Sequence, residues 1–252
     1  MNKQFLKIKN FQGEKLDVLI EGNSDSRKTV VFVHGFGTNK NGGENLFVDI
    51  SQVLQNDFRI VRFDFSGYGK SEGKSESVDY IKQGEDLITI IKYIRENFEG
   101  EIYLIAHSMG TLVTALLCPK GIKKAVFTGI PEEDPLKTLD TIKNRIQAKE
   151  KGVFDERGIS FYSRSSGEVQ KIGCSFWEVL RSIEPVKMFE SFSKKTELIL
   201  FKPQQDEVVG NEFFENCRKS EVLNWVELPG DHNFSTKGDR KELIKRIKEF
   251  LD

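Results

Sequence analysis

The 252-residue sequence predicts an α/β fold built on a mostly parallel, doubly wound sheet, and three observations carry that expectation. Apolar runs such as TVVFVHG, residues 29–35, are β-branched or aromatic throughout and stop at a glycine, which suits strands buried on both faces. These runs alternate with stretches whose apolar residues recur at helical spacing. The alternation then breaks once, between residues 131 and 192, and resumes afterwards.

Taken in order, residues 5–10 and 15–21 form an antiparallel entry hairpin around Gly13. TVVFVHG is the first long strand. Phe47, Ile50, Ser51 and Leu54 follow at helical spacing, FRIVRFDF is a strand, and Tyr80, Ile81, Gly84, Leu87, Ile88, Ile91, Ile94 and Phe98 line one face of a long helix. EIYLIA, KKAVFTG, TELILF and LNWVEL continue the strand series. A last helix carries Leu243, Ile244, Ile247, Phe250 and Leu251 on one stripe. Repeated strand, helix, strand order implies right-handed crossovers, with helices on both faces.

Within the interruption, Asp134 and Pro135 cap and open a helix carrying Leu136, Leu139, Ile142 and Ile146. Ser175 and Glu178 have capping-box spacing ahead of Phe176, Trp177, Leu180 and Ile183. Between them, GISFYSRSSGEVQKI reads as a β-hairpin turning at Gly167. The expected organisation is therefore a core of residues 1–130 and 193–252, with residues 131–192 inserted as a helical and hairpin cap over one end of the sheet.

Composition narrows the function classes. With 38 basic and 39 acidic residues the formal net charge is −1, so the one-sided basic field that selects nucleic acid or an anionic membrane is missing. The first twenty residues scatter charges through any apolar run, which predicts neither a secretory signal nor a membrane span and favours the cytoplasm. Cys118, Cys174 and Cys217 are odd in number and lack C-x-x-C spacing, so they are expected to be free buried thiols, not a disulfide framework or a zinc site. Nothing resembles a metal cluster or a phosphate loop, and neither cofactor nor metal is expected.

The chemistry is concentrated at IYLIAHSMGTLV, residues 102–113. Ser108 follows a strand, precedes a helix and has Ala106 and Gly110 two residues to either side. A strand-to-helix turn sharp enough to lift the serine clear of the sheet leaves space only for small side chains at those positions, so this is a nucleophile elbow. The helix that starts there points its N–H groups at the site and favours negative charge on a reacting oxygen. A serine nucleophile needs a base, and the chain has three histidines. His107 is too close along the backbone to accept the Ser108 proton, and His34 precedes a glycine loop that it is suited to hold. His232, in PGDHNF between the last strand and the last helix, is the candidate base. Asp206, just beyond the TELILF strand, is the candidate acid that orients it, with Glu207 as its rival.

With these pieces assembled the chain resembles the α/β-hydrolase family, in particular its small serine esterases and lipases, which include feruloyl esterases and monoacylglycerol lipases. The matching segments are HGFG at 34–37, RFDFSGYGKSEG at 62–73, AHSMG at 106–110, DEVV at 206–209 and GDHNF at 230–234. The resemblance implies a Ser-His-Asp hydrolase of Ser108, His232 and Asp206, with an oxyanion hole formed by the backbone N–H groups of Phe36 and Met109. It makes Asp64 a scaffold residue. Ala106 departs from the usual first glycine of the elbow, Thr111 stands where relatives often have another glycine, and Pro203, Gln204 and Gln205 replace a small turn ahead of the acid. The expected activity is hydrolysis of carboxylic esters, with a short or an aromatic acyl group, through an acyl-enzyme; amide, peptide or thioester hydrolysis and a non-catalytic ligand-binding role are the alternatives. Phe161, Tyr162, Phe176 and Trp177 are the candidate substrate-binding aromatics, although a lid face packing on the core would use the same residue types.

Overall fold

The protein is described by a computed structural model covering residues 3–164, 167 and 169–252. Ten strands and eight α-helices are formed among the described residues. The chain opens with β1 (Gln4–Lys9) and β2 (Lys15–Gly22), followed by β3 (Lys28–Val33), α1 (Leu46–Leu54), β4 (Arg59–Phe63) and α2 (Tyr80–Asn97). β5 (Glu101–His107), α3 (Met109–Leu117) and β6 (Ile122–Thr128) come next. After α4 (Pro135–Gln147), β7 (Ile159–Ser163), β8 (Val169–Gly173), α5 (Cys174–Ser182) and α6 (Pro185–Ser193), the main series resumes with β9 (Glu197–Pro203), α7 (Glu215–Lys219), β10 (Asn224–Leu228) and α8 (Lys237–Leu251).

Eight strands make one sheet in the order β1-β2-β4-β3-β5-β6-β9-β10. The entry hairpin pairs antiparallel, Gln4 opposite Ile20, and β2 meets β4 antiparallel; the strands from β4 through β10 run parallel. Continuous apolar strands follow from coverage on both faces. Val31, Val33, Leu104, Ala106, Phe127 and Leu200 enter a core with α2, α3, α5 and α6. Their sequence neighbours Val30, Phe32, Tyr103, Ile105, Val126 and Phe201 enter the opposite core with α1 and α8. Period-two alternation thus feeds two apolar layers, one on each face of the sheet.

Two helices differ from their sequence reading. On α2 the buried stripe includes Gln83 and Asp86, while Ile81 is 48% exposed. The helix is turned by Asp86, whose carboxylate accepts from Asn10 Nδ2 at 2.8 Å and from Ser66 N at 2.8 Å. α5 begins at Cys174 with Gly173 at its N-cap and no side-chain cap bond, so Ser175 lies inside the helix and forms no capping box. The Asp134 cap does form: its carboxylate accepts from Leu136 N at 2.9 Å, with Pro135 in the first turn.

β7 and β8 pair antiparallel as a separate two-stranded sheet, Ile159 opposite Gly173. Gly167 has the positive φ, 85°, suited to the expected turn; its neighbours 165, 166 and 168 lie outside the described residues. All three cysteines are free, but only Cys217 is buried; Cys174 is exposed and Cys118 lies between, so burial of all three is not met. Among the described residues no helix is long and apolar enough to cross a membrane.

Candidate active site

Ser108 joins the carboxyl end of β5 to the first turn of α3 with φ 55° and ψ −129°. That conformation is unfavourable for a residue with a Cβ and persists only where surrounding contacts hold it. Here Ser108 N donates to Thr128 O on β6 at 2.9 Å. Its carbonyl accepts from Thr111 N at 2.9 Å and Thr111 Oγ1 at 2.7 Å. Thr111, a departure in the sequence, therefore pins the turn with its hydroxyl. The need for a small residue at Gly110 has a different origin from the one expected. A Cβ there would run into the Val33 carbonyl and come within 2.8 Å of His34 O, so it is the neighbouring β3 end that crowds the elbow. Gly35 is constrained in the same way, because its Cβ would sit 2.8 Å from Ser108 Cβ.

His232 lies on the loop between β10 and α8, and its Nδ1 is 2.9 Å from Asp206 Oδ2. With the Nδ1 proton donated to the carboxylate, Nε2 is left to accept. The other carboxylate oxygen, Oδ1, accepts from the N–H groups of Val208 and Val209, both at 3.0 Å. Lys202 Nζ, from β9, donates to Oδ2 at 3.1 Å. Burial opposes ionisation of Asp206, yet the His232 hydrogen bond, the charges of His232 and Lys202 and the backbone donors hold its carboxyl well below the usual range. Glu207, the rival in the sequence, is exposed, whereas Asp206 is the carboxylate in contact with His232.

Ser108 and His232 line one cavity of about 220 Å³, together with Phe36 and Met109. The loop bearing Phe36 is held by His34. Phe65 N donates to His34 Nε2 at 3.1 Å, so the ring proton is on Nδ1, which donates to Gly35 O at 2.9 Å. Thr38 Oγ1 donates to the same carbonyl at 3.0 Å. In a trans peptide the C=O and the following N–H point in opposite directions, so fixing Gly35 O also fixes where Phe36 N–H points. Burial pushes the His34 imidazole down to about 4, which keeps it neutral and in this tautomer near neutral pH. Asp64 is fully buried and accepts from Lys40 N at 2.6 Å, Lys70 N at 2.9 Å and Lys40 Nζ at 2.7 Å, which makes it an anchor for two turns.

His107 packs against His232, ring centroids 4.7 Å apart and planes inclined by 54°, and among the described residues neither of its nitrogens has a hydrogen-bond partner. Burial first, and the adjacent His232 second, push its imidazole well below the ordinary range, so it packs as a neutral ring.

The aromatic substrate-binding candidates are placed elsewhere. Phe176 and Trp177 are buried at 2% and 0% exposure, Phe176 packing against Phe36 and Tyr80 and Trp177 against Phe154. Phe161 is 37% exposed on β7, and Tyr162 lines a neighbouring groove with Phe36, Ile142 and Arg145. Large aromatic rings went where the most apolar area could be removed from water, into the contact of α5 with α2. The cavity wall is instead Thr138, Thr141, Ile142 and Arg145 of α4, with Glu132, Val208 and Val209. Their spacing on α4, i, i+3, i+4, i+7, is a readable stripe, but its mixed polarity hid it from a search for apolar faces.

The family model described as serine aminopeptidase, S33, matches residues 24–130. Among curated proteins, Arabidopsis thaliana "Probable lysophospholipase BODYGUARD 4" is 31% identical over 128 residues, 48% of this chain and 29% of that one. "Probable lysophospholipase BODYGUARD 2" of the same plant is 30% identical over 39% of this chain and 21% of its own length. The chain thus spans under a third of the relatives it matches. Among solved structures, the esterase domain of a Rhodothermus marinus protein superposes with TM-score 0.72 at 21% identity, covering 100% of this chain and 98% of that one. Est1E of Butyrivibrio proteoclasticus with bound ferulic acid gives TM-score 0.75 at 19% identity, covering 98% of both chains.

Proposed function

We propose that this chain, an α/β hydrolase by fold, cleaves small carboxylic esters through an acyl-enzyme formed on Ser108. The observation that carries the reading is the contact of His232 Nδ1 with Asp206 Oδ2 at 2.9 Å, with His232 and the strained Ser108 facing one cavity. Ser108 Oγ attacks the ester carbonyl as His232 Nε2 takes its proton, and His232 then returns that proton to the departing alcohol. Asp206 holds the imidazole tautomer and stabilises the imidazolium. The N–H groups of Phe36 and Met109 receive the oxyanion, one from the His34-held loop and one from the start of α3. Water, activated by the same His232, releases the acid.

Ester chemistry is favoured by the names of the matched proteins, lysophospholipases and esterases. The description of the matching family, a serine aminopeptidase, supports amide hydrolysis as the second reading. In the proposal residues 131–192 act as a cap, with α4 forming the wall opposite Ser108, and the protein works in the cytoplasm, which cell fractionation checks. A panel of p-nitrophenyl esters, hydroxycinnamate esters, aminoacyl anilides and acyl-CoA thioesters, run on wild type and Ser108→Ala, tests the assignment. Serine-directed fluorophosphonate labels Ser108 of the wild type if the reading holds; a folded wild type that is neither labelled nor active favours a binding role.

A further inference from the structure

Lys202 is the next-to-last residue of β9, with its side chain 1% exposed, at a position where a parallel strand covered on both faces ordinarily carries an apolar residue. Its Nζ donates to Asp206 Oδ2 at 3.1 Å and to Gly210 O at 2.6 Å, and lies 4.5 Å from the centroid of the Phe214 ring. Oδ2 is also the oxygen facing His232 Nδ1. One carboxylate oxygen therefore serves two cations whenever the imidazole is protonated. Burying an ammonium group is costly, and an apolar residue of similar volume would stabilise the fold at least as well. Stability alone does not account for a lysine here.

We propose that Lys202 is a positioning residue for the proposed Ser108–His232–Asp206 site: it fixes Oδ2 and takes up part of the carboxylate's charge, so that the pull of Asp206 on the His232 Nδ1 proton is weaker than it would be from the carboxylate alone. The inference rests on the hydrolase reading above. Burial lowers the Lys202 ammonium from its ordinary range, while Asp206 and Glu132 oppose that shift. The other charges facing this group are Glu132 from the loop after β6, Arg218 from α7 and Glu227 from β10. His107, from β5, and Arg240, from α8, face the imidazole side. Among the described residues, Asp206 and Gly210 are the hydrogen-bond partners of Nζ, so the carboxylate is its one direct counter-ion. By joining Asp206 to Gly210, Lys202 also closes the loop that presents Val208 and Val209 to the cavity.

The test compares wild type with Lys202→Gln, which keeps a donor without charge, and Lys202→Met, which keeps neither. The pH dependence of kcat/KM on p-nitrophenyl butyrate is expected to have its acid limb about one pH unit higher in both variants, the size ordinary for removing a neighbouring charge. KM rises mainly in Lys202→Met, where the loop loses its tether. A fall in kcat/KM by one factor at every pH, with the limb unmoved, would mean that Lys202 is only structural and would overturn the proposal. Proton NMR reads the same contact without turnover: the His232 Nδ1–H resonance moves downfield in Lys202→Gln, and in wild type it shows a nuclear Overhauser effect to the Lys202 ammonium. Absence of that effect in wild type overturns the proposal whether or not the variants fold. If fluorophosphonate fails to label Ser108 the hydrolase reading falls, whereas the NMR result still decides the Lys202 contact.

Discussion

Replacing Ser108 by glycine is expected to give a more stable protein than replacing it by alanine, although both remove the same hydroxyl. The serine is held at φ 55°, ψ −129° by Thr128 O, Thr111 and the end of β3. A side chain with a Cβ pays about 1–3 kcal/mol for such a conformation. Alanine keeps that strain and glycine loses it. Against this, glycine frees the unfolded chain by about 0.4–1 kcal/mol. The difference leaves Ser108→Gly about 1 kcal/mol more stable than Ser108→Ala, roughly 2–4 °C in melting temperature for a chain of this size. Urea unfolding and calorimetry of the two variants, side by side at one pH, measure it. Ala115→Gly, within α3, is the control and should lose about 2 kcal/mol, the helix cost of glycine plus that of a buried methyl. If Ser108→Gly proves the less stable of the pair, with the control behaving normally, the turn is not strained as described.

Gly35→Ala, whose Cβ would lie 2.8 Å from Ser108 Cβ, should lower kcat/KM by about 100-fold or more while leaving the circular dichroism unchanged, because small displacements of a reacting group are costly. Asp206→Asn should reduce kcat by about 10⁴-fold, as expected where the orienting acid is lost, whereas Glu207→Gln, at an exposed position, should stay close to wild type; equal losses would contradict the assignment. The His34 imidazole, lowered to about 4 by burial, makes the unfolded chain bind its proton first as the pH falls below about 6.5. Its contribution is therefore complete above pH 6.5 and lost progressively down to about pH 4, roughly 3 kcal/mol in all. His107 acts in the same direction. Stability measured by urea between pH 4 and 7 should show a shallower slope in His34→Gln than in wild type, and an unchanged slope would refute a neutral His34.

The layered sheet was legible because it depends on pattern alone: runs such as VVFV, residues 30–33, and LILF, residues 198–201, are apolar at every position, and this requires cover on both faces. The elbow was legible because Ser108 and Gly110 lie only two residues apart, although the reason for the glycine, the carbonyls of Val33 and His34, lies at the end of another strand. The pairing of His232 with Asp206 followed from chain order and the shortage of histidines. Lys202 was not legible, since a lysine after an apolar strand ordinarily marks its solvated end, and only the return of the loop over it makes it buried. The placement of the expected substrate-binding aromatics away from the Ser108 cavity has a related reason. Aromatic residues signal the ability to bury area, and Phe176 and Trp177 spent that ability on packing, while the α4 side of the cavity is lined by Thr138, Thr141, Ile142 and Arg145.

That wall has an evolutionary consequence. In the proposed mechanism the nucleophile Ser108, base His232 and acid Asp206 stand on connections leaving β5, β10 and β9, whereas Thr138, Thr141, Ile142 and Arg145 belong to a helix outside the sheet ladder. Changes in this short segment can redraw what the pocket accepts without disturbing the reacting groups, so selectivity can drift between lineages, or be grafted in the laboratory, while the chemistry is inherited intact.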